Sequence, residues 1–80
     1  MFDPKKLEAA MKKHNITPTV LVGVMSGVSP AVCGRIVTTN PATIKDYLGG
    51  KYQPTEERLA LLEAAFEEYG EPVSLAKDEP

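Results

Sequence analysis

Between Arg35 and Tyr52 the chain concentrates three cations, Arg35, Lys45 and Lys51, with Thr39, Asn40, Thr43 and Tyr52 and the small Ala42 among them. Cations, hydroxyls and amides are the side chains that meet phosphate oxygens and base edges. Nothing comparable points to catalysis. The single cysteine, Cys33, excludes an intrachain disulfide framework and any multi-cysteine metal site. His14 is the only histidine, so the glutamates Glu63, Glu67 and Glu68 have no histidine partner for a metal. Gly49-Gly50-Lys51-Tyr52 lacks the spacing of a phosphate-binding loop. Gly23 and Gly27 fit no dinucleotide fingerprint. No nucleophile–base pair stands out, so the expectation is a binding protein rather than an enzyme. No cofactor, metal or small-molecule substrate is expected.

The charge is divided along the chain. Residues 1–53 hold seven cations and three anions, a net of +4, and residues 54–80 hold two cations and eight anions, a net of −6, which together make the overall −2. A basic body with an acidic C-terminal segment is compatible with one face meeting phosphate. At 80 residues, with 42% hydrophobic and 25% charged side chains, the chain suits one folded domain. No apolar run reaches the roughly 18 residues a membrane span needs. The N-terminal Met1-Phe2-Asp3-Pro4-Lys5-Lys6 has no apolar signal core. The expected location is the cytoplasm, without a membrane partner.

Prolines indicate the elements that position the cluster. Proline is tolerated at the first helical position, and a preceding Asp, Thr, Ser or Asn caps the helix. The pairs Asp3-Pro4, Thr17-Pro18, Ser29-Pro30 and Asn40-Pro41, with a fifth start at Gln53-Pro54-Thr55-Glu56, predict five short helices. They run over 4–14, 18–26, 30–37, 41–48 and 55–69. Leu7, Ala10 and Met11 form the first apolar stripe; Val20, Leu21, Val24 and Met25 make the second helix central; Ile44 and Tyr47 face the core from the fourth; Leu59, Leu62, Phe66 and Tyr69 form the last stripe. Gly27 and Gly49-Gly50 read as stops. The fold class is all-α, with a domain over 1–70 and a flexible tail over 71–80. Cys33 reads as an inert core residue, and His14 as a helix-end residue favoured by the dipole.

Short helices joined by three-residue turns are what a helix-turn-helix requires. The stretch Gly27–Thr55 resembles the lambda-repressor-like (Xre-type) helix-turn-helix family. The resemblance rests on Gly27-Val28-Ser29, Val37, Asn40, Thr43-Ile44, Tyr47, Gly50-Lys51 and Pro54-Thr55. Thr38 stands where the family has a turn glycine, and Cys33-Gly34 replace its Leu-Ala. Tyr47-Leu48-Gly49-Gly50-Lys51-Tyr52 is also similar to the N-terminal domain of a phage transposition ATPase. The resemblance implies a compact five-helix DNA-binding domain. In one register the recognition helix is 41–48, after a turn at Thr38-Thr39-Asn40. In another it is 30–37, with Gly27-Val28-Ser29 as the turn and Arg35-Ile36 on the helix. Chemistry favours the first, because 30–37 offers little to read base edges. Asn40 would then pair with adenine, Ala42 touch a thymine methyl and Lys45 reach guanine or phosphate. Thr39, Lys51 and Tyr52 would hold phosphates; Thr43 lies beside them. Arg35 reaches phosphate in one register and bases in the other.

The implied function is a sequence-specific regulator of double-stranded DNA, a repressor of phage or plasmid type. So few contacts per copy call for a homodimer on a two-fold site, joined through the last helix or the tail. The alternatives are a protein-interaction module (an inhibitor or antitoxin partner) acting through the acidic last helix, and the DNA-binding domain of a recombination or transposition protein.

Overall fold

The computed structural model describes residues 1–70 and 73–76. Among the described residues there are four helices: α1 (Pro4–Lys13), α2 (Pro18–Cys33), α3 (Pro41–Leu48) and α4 (Glu56–Glu67). α2 packs against both α4 and α3, and α1 packs against α3. Four of the five expected starts are real, and each is capped as its chemistry demands. The side chains of Asp3, Thr17, Asn40 and Thr55 accept from the backbone N–H of Lys5, Val20, Ala42 and Arg58.

The fifth start is not used. The helices expected over 18–26 and 30–37 are one continuous helix that carries Pro30 inside it. Pro30 has no N–H to give the carbonyl of Ser26, one turn back. The Ser29 hydroxyl supplies the missing donor, 2.8 Å from that carbonyl. The hydroxyl in turn accepts from the N–H of Val37 at 2.9 Å. Ser29 is therefore no N-cap: it is fully buried and bridges α2 to the link that follows. α2 ends at Gly34, which adopts a left-handed φ of 73° and donates its N–H to Pro30. Gly34 is thus a C-terminal cap, where a mid-helix position was expected. The link over 34–40 replaces the three-residue turn. Because Gly27-Val28-Ser29 is helical, the register with a recognition helix at 30–37 is excluded.

The core joins Leu7, Ala10 and Met11 of α1 to Leu21 and Met25 of α2, Ile44 and Tyr47 of α3, and Leu61, Leu62, Ala65 and Phe66 of α4. Each large apolar side chain buried in this way contributes about 1.5–3 kcal/mol. The α1 stripe is as expected. On α4 the buried stripe is rotated: Leu61 and Ala65 join Leu62 and Phe66, while Leu59 is half-buried and Tyr69 is exposed. α2 is central, yet one side of it remains open, with Val20, Gly23, Gly27 and Ala31 exposed. Cys33 is partly buried against the core. His14 caps α1 and lays its ring against Tyr69 and Phe66, at centroid distances of 5.5 and 6.5 Å.

Part of the stretch read as a tail is packed. Leu75 is fully buried, its N–H donating to Glu63 Oε2 at 3.0 Å and its carbonyl accepting from Asp3 N–H at 2.8 Å. Phe2 and Ala76 form an isolated antiparallel bridge. Residues 71–72 and 77–80 of that stretch lie outside the described residues. No single helix among the described residues is long and apolar enough to cross a membrane.

The open side of α2 provides a test of the helix itself. A Cβ added at Gly23 or Gly27 meets nothing within 4 Å. Gly is about 1 kcal/mol less favourable than Ala inside a helix. Gly23→Ala and Gly27→Ala are each expected to raise stability by about 1 kcal/mol, measured by urea denaturation. A loss at either position would contradict a continuous α2.

Candidate nucleic-acid interface

α3 has eight residues, with Asn40 as cap and Gly49-Gly50 beyond its end. Ile44 and Tyr47 turn inward and bury against the core. That leaves Ala42 and Lys45 on the outward side, with Asn40 exposed at the helix start. Asn40 Oδ1 accepts the Ala42 N–H at 3.0 Å. Its carbonyl oxygen is engaged in the cap, so its amide NH2 is the group turned to the surroundings. At the other end Gly50, with φ 73°, reverses the chain. Lys51 N–H then donates to the Asp46 carbonyl at 2.9 Å. The Lys51 ammonium lies 5.4 Å from the centre of the Tyr52 ring, and both side chains are exposed.

The remaining expected residues are placed differently. Arg35 lies on the link after α2 and pairs with Glu57 of α4 at 2.8 Å. It does not join the α3 row. Thr39 and Thr43 are half-buried on the other side of α3's first turn. They line a cleft of about 540 Å³ with Thr38, Asn40, Pro41, Tyr47 and Arg58. Arg58 Nη1 donates to the Thr38 carbonyl at 2.8 Å and to the Thr39 hydroxyl. These contacts, with the Arg35–Glu57 pair and the Ser29–Val37 bond, fasten the 34–40 link onto α2 and α4. The site thus has an outward row, Asn40, Ala42 and Lys45, leading to Lys51 and Tyr52, and a cleft behind it.

Arg58 is the residue that sequence reasoning missed. It does carry a signal. It is the third residue of α4, where the positive end of the helix dipole disfavours a cation. An arginine placed there needs a contact outside its own helix, and Thr38 and Thr39 provide it. Tyr47 was expected only as core. Its ring is buried, and burial pushes its phenol above the ordinary value while the nearby Arg58 charge pulls the other way.

Among the described residues no group of three or more His, Cys, Asp or Glu side chains is arranged to hold a metal. The cleft is lined by three threonines, one asparagine, one tyrosine, one proline and one arginine, with no carboxylate. Chemically, such an arrangement offers hydrogen-bond donors and one fixed positive charge. In comparisons with known proteins, no family model, no curated protein and no solved structure matches the chain.

Proposed function

We propose that the chain is a sequence-specific binder of double-stranded DNA that lays α3 in the major groove and acts as a transcriptional regulator. The repressor of phage or plasmid type described above is the form this reading takes. The observation that carries it is the division of α3. Ile44 and Tyr47 are spent inside the domain, and Asn40, Ala42 and Lys45 present a short exposed row to the outside. Residues near the start of such a helix reach base edges. Lys51 and Tyr52, just past its end, would hold the flanking backbone. Few positive contacts per copy give weak, salt-sensitive binding, so the proposed working unit is a homodimer on a two-fold operator.

The test is a gel shift on pooled random duplex DNA at rising salt. The logarithm of affinity is expected to fall linearly with the logarithm of salt, by about 0.9 per phosphate contact. Lys45→Ala with Lys51→Ala is expected to flatten that slope by about two and to weaken binding at low salt. Duplexes selected by the bound protein should be two-fold symmetric. Absence of a shift at low salt and micromolar protein would overturn the reading in favour of a protein partner.

A further inference from the structure

We propose that the cleft between α3 and the start of α4 is an oxyanion site that seats a phosphate group, with Arg58 as its cation and the Tyr47 and Thr43 hydroxyls as donors. The inference deepens the DNA-binding reading and rests on it for the source of the phosphate. The chemistry of the cleft stands apart from that source.

Tyr47 is 5% exposed and lines the cleft. Its hydroxyl makes no hydrogen bond to any described residue. The hydroxyl is not sealed in the core, so its O–H is free to donate to a group that enters the cleft. The partner can be inferred from the neighbours. No carboxylate lines the cleft, and its one formal charge is the Arg58 guanidinium. That guanidinium is held in place by the Thr38 carbonyl and the Thr39 hydroxyl, both taken by Nη1. A guanidinium has five N–H groups, so donors on Nη2 and Nε remain for a ligand. A pre-positioned arginine fork matches the geometry of a phosphate. A phenol is protonated at neutral pH and so able to donate, and burial shifts it further in that direction.

The start of α3 does not itself bind the anion. Its Ala42 N–H is taken by Asn40 Oδ1 and its Thr43 N–H by the Asn40 carbonyl. The side chains of two different helices must therefore supply the donors. On DNA, the clamp would fix one backbone phosphate behind the outward row of α3 and set its register on the duplex.

The experiment uses the full chain, with inorganic phosphate and duplex DNA as separate probes. Amide shifts are followed by NMR as phosphate replaces chloride at constant ionic strength. Saturable shifts are expected at Thr39, Thr43 and Tyr47. Tyr47→Phe should leave the melting temperature unchanged, because the hydroxyl has no bond inside the chain. It should weaken phosphate binding about tenfold, the usual worth of a hydrogen bond to a charged group. Arg58→Gln should abolish the phosphate shifts and reduce the salt slope for duplex binding by about one. If Arg58→Gln unfolds the domain, Tyr47→Phe carries the test alone.

Phosphate shifts without duplex binding would support the clamp, assign it to a free phosphate compound and overturn the DNA reading. A reduced duplex slope without shifts from free phosphate would also support the clamp, with DNA as the source. Duplex binding with an unchanged slope and no phosphate shifts would overturn the clamp and leave the DNA reading standing. Tyr47→Phe binding both probes as tightly as the unsubstituted chain would overturn the clamp as well.

Discussion

Ser29→Ala is expected to destabilise the domain by about 3 kcal/mol, although it removes one oxygen atom. The hydroxyl serves two backbone groups at once. It donates to Ser26, whose carbonyl Pro30 cannot serve, and accepts from Val37. Losing it leaves a buried N–H and a carbonyl without partners, at about 1–3 kcal/mol each. For a domain of this size that is a large share of a total stability of roughly 5–10 kcal/mol. The melting temperature should fall by more than about 10 °C. The two contributions can be separated. Pro30→Ala restores an N–H to the Ser26 carbonyl and should itself stabilise α2, because proline is costly inside a helix. On that background Ser29→Ala should cost about 1 kcal/mol less, since only Val37 is orphaned. Equal costs on both backgrounds would refute the role assigned to Ser26.

Leu75→Ala is expected to cost about as much, roughly 3 kcal/mol, despite lying in a stretch that composition reads as a tail. The side chain is fully buried in the same core as Phe66 and Leu7. A leucine-to-alanine change at such a site combines lost burial with a cavity, at about 2–5 kcal/mol. The substitution should also loosen the N-terminus, because Asp3 N–H donates to the Leu75 carbonyl and Phe2 is bridged to Ala76. Hydrogen exchange at Asp3 should speed up with the loss of stability. Ser74→Ala, at an exposed neighbouring position, serves as the control and should change stability by less than about 0.5 kcal/mol. A near-zero effect of Leu75→Ala would show that residues 73–76 contribute nothing to the core.

Local chemistry decided much of this protein within a few residues of each position. The caps at Asp3, Thr17 and Asn40 were readable because a side-chain oxygen and a backbone N–H two or three residues on settle a helix start between them. The all-α character followed from the same signals. So did the burial of Leu7, Met11, Ile44 and Tyr47, because helical periodicity alone groups them on one side. The outward positions of Ala42 and Lys45 are the complement of that stripe.

Ser29-Pro30 carried the same signal and meant something else. A cap and an in-helix serine differ only in where the hydroxyl finds partners, and Val37 is a partner eight residues away. No local pattern contains that bond, so sequence alone divided α2 into two helices and placed a turn where the chain is helical. Leu75 was missed for a similar reason. Its short, Pro-flanked segment has no periodicity, and only the space beside Phe2 and Glu63 makes it core. The cleft depended on tertiary structure most of all. Thr39 and Thr43 were legible as polar residues near a helix start, but Arg58 reaches them from another helix, nineteen positions from Thr39. Sequence thus determined which segments become helices and which faces of α1 and α3 turn inward, because those depend on neighbours along the chain. Tertiary packing decided where α2 ends, what closes the core and which cation stands behind α3, because those depend on partners that only folding brings together.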